Sequence, residues 1–266
     1  AAGSATLDDG TDLLKLNREE IRRVRLKRVA MVPQGAMNSL NPVMRIGDQL
    51  MLTIREHAED GEIPDKNTQL KQVEELFYRV GLKPAVARLY PHELSGGMKQ
   101  RACIAQAISL NPQLILADEP TSALDVVVQR QIMQTLRKLQ NELDATVLLV
   151  GHDMGLMAQF AERVGIMYGG KLVEVGPVED IFHNPQHPYT QLLISSIPNF
   201  EIKGEFRGIP GVGLSLLDPP TGCLFHPRCP KAIDRCKSVE PQLKEVAADQ
   251  LVSCLLHEED QHAPAS

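Results

Sequence analysis

Short apolar runs alternate along the chain with longer segments in which apolar residues recur every three or four positions. The short runs are rich in Val, Ile and Leu, as buried strands are, and the longer segments have the spacing of amphipathic helices. This alternation favours a partly parallel sheet covered on both faces, and therefore an α/β fold. The predicted strands are 29–32, 114–117 and 146–150. Helices are predicted at 18–28, 95–110 and 126–143, and within the helical segment 42–81, where 65–68 has the pattern of a helix start and Gly81 that of its end.

The pattern changes in the last third of the chain. A hairpin is predicted over 164–175, on the edge of the sheet, with Gly169 and Gly170 at its turn. Beyond Gly176 prolines become frequent and the periodicity fades, so we place a domain boundary near residue 198. The predicted domains are 1–198, with a helical subdomain at about 42–110, and 199–266, a small loop-rich module with four cysteines.

Composition and charge exclude several classes of protein. Hydrophobic residues make up 43% of the 266 residues, which is enough for a packed core. The 34 acidic residues outnumber the 28 basic ones, so the chain has no overall positive field for binding nucleic acid. No apolar run approaches the roughly 18 residues that a membrane-spanning helix needs. If the protein works at a membrane, we expect a partner to hold it there.

A Ser-Gly-Gly sequence opens the predicted helix at 95–110. Ser95, Gly96 and Gly97 leave free backbone N–H groups without side chains in front of them. Such a helix N-terminus suits a phosphate. The alternative is an ordinary helix cap, because Ser-Gly-Gly alone is a common sequence.

Two adjacent carboxylates follow the second predicted strand directly. Asp118 at the end of a buried strand is placed to hold Mg²⁺, and Glu119 beside it is placed to orient or deprotonate a water. The alternative is a solvated loop. The four apolar residues immediately before the pair make that alternative weak.

These motifs together resemble a known family. The sequence LSGGMKQR at 94–101 and the sequence LILADEPTSALD at 114–125 resemble the signature and Walker B segments of ABC-type ATPases. His152 matches the switch histidine of that family, and Gln34 matches its Q-loop glutamine. Order and spacing agree over roughly residues 8 to 175. The resemblance implies an ABC-type ATPase core, in which two domains face each other and hold ATP between them.

The resemblance also implies roles for individual residues. Glu119 would act on the attacking water, His152 on the γ-phosphate, and Gln34 would sense metal and nucleotide. Asp118 and Gln34 would support Mg²⁺. The residues implied in nucleotide binding or in contact with the facing subunit are Ser95, Gly96, Gly97, Gln100, Asp118 and Asp125.

The phosphate-binding loop G-x-x-x-x-G-K-[ST], or Walker A, does not occur in the printed sequence. Residues 165–172 come nearest, but they lack the Ser or Thr hydroxyl and follow the switch histidine, so we interpret them as a hairpin. In the family this loop lies upstream of the segment that matches 7–12. We expect the chain to begin inside the domain, and to bind ATP poorly by itself.

Two further segments resemble the ATPase subunits of dipeptide, oligopeptide and nickel importers. They are residues 180–193 and the Asn-Ser-Leu-Asn-Pro sequence at 38–42. His183 and His187 have the spacing of a metal pair, but Pro185 between them disturbs helical geometry, which favours a structural role. The resemblance implies a peripheral protein on the cytoplasmic face of a prokaryotic membrane. The resemblance implies three kinds of partner. They are a second ATPase subunit, which in this group is expected to be a paralogue, permease subunits and, indirectly, an extracytoplasmic solute-binding protein.

Four of the five cysteines lie close to the C-terminus. Cys223, Cys229, Cys236 and Cys254 have the spacing C-x₅-C-x₆-C-x₁₇-C, which is wider than the paired spacing of most zinc sites. Thiolates are soft ligands, and this spacing together with the resemblance favours a [4Fe–4S] cluster. Zinc, two disulfides, or four packed thiols remain alternatives. Cys103, in the signature helix, is interpreted as a small core residue.

Two other functions are consistent with parts of this pattern. An ABC-type ATPase of DNA repair or translation would carry the same motifs, but also coiled-coil insertions or a second ATPase domain, and the sequence has neither. A non-catalytic fragment kept as a metal or iron–sulfur module would explain the absent phosphate loop. The favoured function is ATP hydrolysis that energises the import of peptides or similar small solutes.

Overall fold

The computed structural model describes residues 3–35, 38–58, 63–197 and 208–258. The chain divides into two compact units, Ala1–His152 and Asp153–Ser266. The predicted domain boundary at residues 198 and 199 lies outside the described residues. The predicted α/β class is confirmed, because parallel strands alternate with helices in the first unit.

The first unit is built on three parallel strands, β1 (Val29–Val32), β2 (Leu114–Asp118) and β3 (Thr146–Val150). They lie in the order β1-β2-β3 and confirm the predicted strands. In a parallel sheet the carboxyl ends of neighbouring strands meet at one edge. The residues that follow β1, β2 and β3 are therefore brought together.

Five α-helices lie in the described part of this unit, and most begin where the sequence predicts. The helix start predicted at 65–68 is confirmed, because Asp65 caps a helix there by accepting hydrogen bonds from the N–H groups of Asn67 and Thr68. The first helix ends earlier than predicted, since Leu26 adopts a left-handed φ of 63° that a helix cannot contain. The helices are α1 (Arg18–Val24), α2 (Ile46–Glu56), α3 (Lys66–Arg79), α4 (Gly96–Ala107) and α5 (Val126–Leu143).

The helix α4 is central to the first unit. It contacts β1, α2, α3 and α5. Its buried side chains are mostly small, among them Ala102, Ala105 and Ala107, with Ile104 fully buried. Small residues allow neighbouring elements to approach closely, so the helix that begins with Ser-Gly-Gly is held from several sides.

The second unit contains a four-stranded antiparallel sheet in the order β4-β5-β7-β6. The predicted hairpin is confirmed, and Gly169 and Gly170 turn it with φ of 58° and 80°. Its predicted place on the edge of the parallel sheet is wrong, because β5 pairs with β7 instead. The strands β6 and β7 were not predicted, because the mostly exposed β6 begins with two charged residues and β7 has only three residues. The elements are α6 (Met154–Phe160), β4 (Arg163–Tyr168), β5 (Lys171–Pro177), α7 (Val178–His183), α8 (Pro188–Ser195), β6 (Lys244–Ala247) and β7 (Gln250–Val252).

A buried carboxylate joins three parts of the second unit. Glu174, in the middle of β5, has no exposed surface. Its carboxylate accepts hydrogen bonds from the backbone N–H groups of Gln186 and His187 and from the side-chain amide of Gln250, at 2.8 to 2.9 Å. A buried carboxylate needs such donors. Glu174 therefore fixes β7 and the turn before α8 to the hairpin.

Aromatic side chains form the core of this unit. Phe225 is almost fully buried, and its ring centroid lies 5.1 Å from that of Tyr168 and 5.3 Å from that of Tyr189. These contacts join the segment that carries the cysteines to β4 and α8. In the ranges that the structure describes, no helix is both long enough and apolar enough to cross a membrane.

Candidate active site

Three side chains meet where the parallel strands end. Gln34 follows β1, Glu119 follows β2 and His152 follows β3. The Gln34 amide Nε2 donates to Glu119 Oε2 at 2.9 Å, and His152 Nδ1 lies 3.0 Å from Glu119 Oε1. The two oxygens of one carboxylate thus have different partners. The structure brings together the three residues that the sequence analysis assigned to catalysis.

The backbone turns sharply at Glu119. This residue has a left-handed φ of 41°, and its N–H donates to the Val150 carbonyl oxygen at 2.9 Å. A non-glycine residue in this conformation costs free energy and is common at functional sites. The Glu119 side chain is 25% exposed and the His152 side chain is 80% exposed. The carboxylate is therefore held firmly, yet it remains accessible to water.

Asp118 is the last residue of β2, opposite Val150 on β3, and is half-buried. Within the described ranges, no three His, Cys, Asp or Glu side chains gather closely enough to hold a metal ion by themselves. Mg²⁺ in nucleotide sites normally takes one or two protein oxygens and completes its shell with phosphate and water. Asp118 and the amide oxygen of Gln34 fit that requirement.

The N-terminus of α4 packs directly on the first turn of α5. Ser95 caps α4, and its hydroxyl accepts a hydrogen bond from the N–H of Met98 at 3.3 Å. A Cβ atom added to Gly97 would lie 2.7 Å from Val128 Cγ1, so a side chain does not fit there. Gly97 is thus required for packing, which the sequence analysis did not foresee.

Asp125 caps α5 and accepts a hydrogen bond from the N–H of Val128 at 3.0 Å. The signature residues and Asp125 therefore lie at two adjacent helix N-termini, and both Ser95 and Asp125 are exposed. Gln100 differs, because it is only 4% exposed and faces the interior of the unit. Its amide Nε2 has no hydrogen-bond partner among the described residues.

None of the five cysteines, all of which lie in the described ranges, forms one of the disulfides that the sequence left open. The four C-terminal thiols lie close enough to influence one another. The pKa of Cys254 is raised to about 11, mainly by burial and to a smaller extent by the neighbouring Cys223, Cys229 and Cys236. The N–H of Cys223 donates to the Cys236 carbonyl oxygen at 2.9 Å, and Gly222, with φ of 69°, passes so close to that oxygen that no side chain fits.

The two histidines near α7 have separate partners. His183 is exposed, with its Nε2 3.3 Å from a carboxylate oxygen of Glu179. His187 is buried, and its Nδ1 accepts a hydrogen bond from the N–H of Tyr189 at 3.0 Å. Burial lowers the pKa of His187 to about 4, so its ring is neutral at physiological pH. These contacts favour the structural interpretation of His187 over a metal pair.

Comparison with known proteins identifies the family. The ABC transporter family matches residues 1–122, and the family "Oligopeptide/dipeptide transporter, C-terminal region" matches residues 173–236. The dipeptide transport ATP-binding protein DppD of Escherichia coli is 41% identical over 249 residues, which cover 92% of this chain and 75% of that protein. The chain belongs to the ABC-type peptide transport ATP-binding proteins. The DppD protein of Haemophilus influenzae is 44% identical over 243 residues, which cover 90% of this chain and 72% of that protein.

Solved structures of ABC cassettes agree with this assignment. A dimeric bacterial ABC transporter cassette has a TM-score of 0.59 at 30% identity, over 66% of this chain and 74% of that chain. A dimer of the same cassette in a post-hydrolysis state, bound to ADP and phosphate, has a TM-score of 0.58. The predicted resemblance to ABC-type ATPases of the oligopeptide group is confirmed, and the DNA-repair and fragment alternatives are not favoured.

One contact joins the signature helix of this ABC protein to the segment after Gln34. Cys103 Sγ on α4 lies 3.9 Å from Ser39 Oγ. Burial raises the pKa of the Cys103 thiol to about 11, from an ordinary value near 9. The neutral thiol therefore stabilises the folded state at neutral pH. That contribution is complete below pH 9, where the unfolded thiol is also neutral, and it is lost as the pH rises through about 11.

We predict that Cys103→Ala removes this pH dependence. Between pH 8.5 and 11 the free energy of unfolding of the unchanged protein should fall. This fall should exceed that of the variant by up to roughly 2 kcal/mol. Urea unfolding at several pH values measures the difference. A gap between the two proteins that stays constant over this range would contradict the assignment.

Proposed function

We propose that this chain is an ATP-hydrolysing subunit that energises the import of peptides or similar small solutes through a membrane permease. The observation that carries the proposal is the Glu119 carboxylate, held between Gln34 and His152 at the ends of three parallel strands. Family membership supports it, since the relatives are named as dipeptide transport ATP-binding proteins.

In this proposal Glu119 orients the attacking water and accepts its proton. Gln34 keeps the carboxylate in place through its amide N–H. When the His152 ring is protonated, it donates from Nδ1 to Glu119 and from Nε2 to the γ-phosphate. Asp118 and the amide oxygen of Gln34 hold Mg²⁺, which, when bound, neutralises charge on the phosphates.

The N-termini of α4 and α5 face the nucleotide of a second ATPase subunit. Ser95, Gly96 and Gly97 supply backbone N–H groups and the positive end of a helix dipole to the γ-phosphate. Asp125 contacts the facing subunit. Gln100 faces the interior, so we assign it to the packing of α4 rather than to direct contact with ATP.

The proposed partners follow from this arrangement. They are a second ABC ATPase subunit, which we take to be a paralogue, and permease subunits. An extracytoplasmic solute-binding protein would act indirectly, and nucleic acid is not a partner. The protein would then lie peripherally on the cytoplasmic face of a prokaryotic membrane.

We predict that Glu119→Gln lowers the turnover number for ATP at least 100-fold and leaves ATP binding intact, because glutamine keeps the shape but cannot accept a proton. The printed sequence has no Walker A loop, so the assay uses an extended form, with a segment carrying G-x-x-x-x-G-K-[ST] placed before Ala1. Phosphate release and retention of labelled ATP are measured together.

The matched control for this prediction is Glu245→Gln, which changes an exposed glutamate on β6. It should hydrolyse ATP at the unmodified rate. If Glu119→Gln also did so, Glu119 would lose its proposed role.

We also propose that Cys223, Cys229, Cys236 and Cys254 bind a [4Fe–4S] cluster that stabilises a C-terminal module at 199–266. The four thiols lie near enough to one another to interact electrostatically, and none of them forms a disulfide. Four cysteine thiolates are the usual ligand set of such a cluster.

The surroundings of the thiols also fit a cluster. Cys223 and Cys229 border the apolar core around Phe225, which limits access of water. Ligand binding would add folding free energy to a unit with short strands and few helices.

We predict that protein purified without oxygen is brown and that Cys229→Ser loses both the colour and most of the bound iron. Residues 208–258 should then be cut faster by protease, because the cluster no longer holds them together. Cys103→Ala, which removes a thiol of the first unit, is the control and should keep its iron. Colourless protein with one equivalent of zinc, or with no metal, would contradict the cluster.

A further inference from the structure

The helices α4 and α5 begin side by side and run in the same direction. Near their starts Gly97 packs against Val128, within the first turn of each helix. One turn further along α4 is Arg101, and its partners on α5 are Gln131 and Thr135, one and two turns beyond Val128. The two capped N-termini therefore lie level with each other.

The guanidinium of Arg101 joins three helices. Its Nη1 donates to the carbonyl oxygen of Val80 at 2.6 Å and to Thr135 Oγ1 at 3.0 Å. Its Nη2 donates to Gln131 Oε1 at 3.3 Å. Val80 is the C-terminal cap of α3, where carbonyl groups lack helical partners. One side chain thus ties the signature helix to the end of α3 and to the side of α5.

The surroundings of Arg101 are shaped for a guanidinium. Val80 is fully buried and Thr135 is 8% exposed. Gly81 has φ of 73°, and a Cβ atom there would lie 3.0 Å from Arg101 Nη1. The partners of Arg101 among the described residues are neutral, so geometry rather than charge pairing explains its place. A lysine has one terminal nitrogen and cannot span these three acceptors in the same way.

We propose that Arg101 is a positioning residue for ATP hydrolysis, which keeps the N-termini of α4 and α5 level and fixes them to α3. The inference rests on the proposed function, in which these N-termini contact the phosphates across the dimer. That contact is complete only when the dimer closes for hydrolysis. If one helix shifts along the other, the contact with the phosphates is weakened when the dimer closes, whereas the first binding of ATP is unchanged.

The test compares Arg101→Lys with the extended form described above, assembled with its ATPase partner and permease. Arg101→Lys should lower kcat about 10-fold and leave KM for ATP within about two-fold. The matched control is Arg130→Lys, which alters an exposed arginine on α5 and should keep both values. Loss of active protein would also lower apparent kcat without changing KM, so kcat is calculated per ATP-binding site counted by titration. A purely structural role would leave this corrected kcat unchanged.

A double-mutant cycle with Thr135→Val tests the contact itself. Thr135→Val keeps the shape of the side chain but removes the acceptor, so it should lower kcat alone and have little further effect with Arg101→Lys. If thermal unfolding shows that Arg101→Lys does not fold, Thr135→Val is tested alone. The inference then requires that Thr135→Val lower kcat and leave KM unchanged.

The outcomes distinguish the inference from the proposed function. If kcat is unchanged in Arg101→Lys, the inference is overturned and the proposed function is not. The same holds for an unchanged kcat in Thr135→Val where only that variant folds. Independent, multiplicative losses in the cycle overturn it as well. Absence of ATP turnover in the unsubstituted assembly overturns the proposed function and the inference with it.

Discussion

The first unit depends on the parallel alignment of β1, β2 and β3, which brings three strand ends to one edge. At that edge the carboxylate of Glu119 shares its two oxygens between Gln34 and His152. The left-handed backbone at Glu119 turns the chain off the strand and exposes the carboxylate. Strained backbone of this kind persists only because the sheet beneath it is rigid. The catalytic chemistry therefore follows directly from strand order and register.

The second unit is stabilised by a different set of interactions. In addition to an apolar core around Phe225, the fully buried carboxylate of Glu174 joins β5, β7 and the turn before α8. Breaking one of these hydrogen bonds would leave a buried charge short of donors, which is costly. The aromatic contacts of Phe225 and the four gathered thiols lie in the same unit. These specific interactions stabilise the second unit.

The sequence predicted most of the first unit because its signals are local. Asp65 and Asp125 are helix caps with recognisable neighbours, and the catalytic residues follow apolar strands directly. Contacts between distant residues left no such signal. The packing of Gly97 on Val128 depends on how two helices meet, and a one-dimensional pattern does not encode that. Glu174 had a partial signal, a charged residue in the middle of an apolar strand, and its three donors lie 12 to 76 positions away.

The central claim is that Gln34, Glu119 and His152 form one hydrolytic group rather than three independent contributors. A double-mutant cycle on kcat for ATP tests this most directly, with Gln34→Ala made in the extended form that carries the phosphate-binding loop and in the Glu119→Gln variant of that form. We predict that Gln34→Ala lowers kcat strongly in the first background and hardly at all in the second, because its contribution passes through the carboxylate. An equal fold-reduction of kcat in both backgrounds would contradict the account.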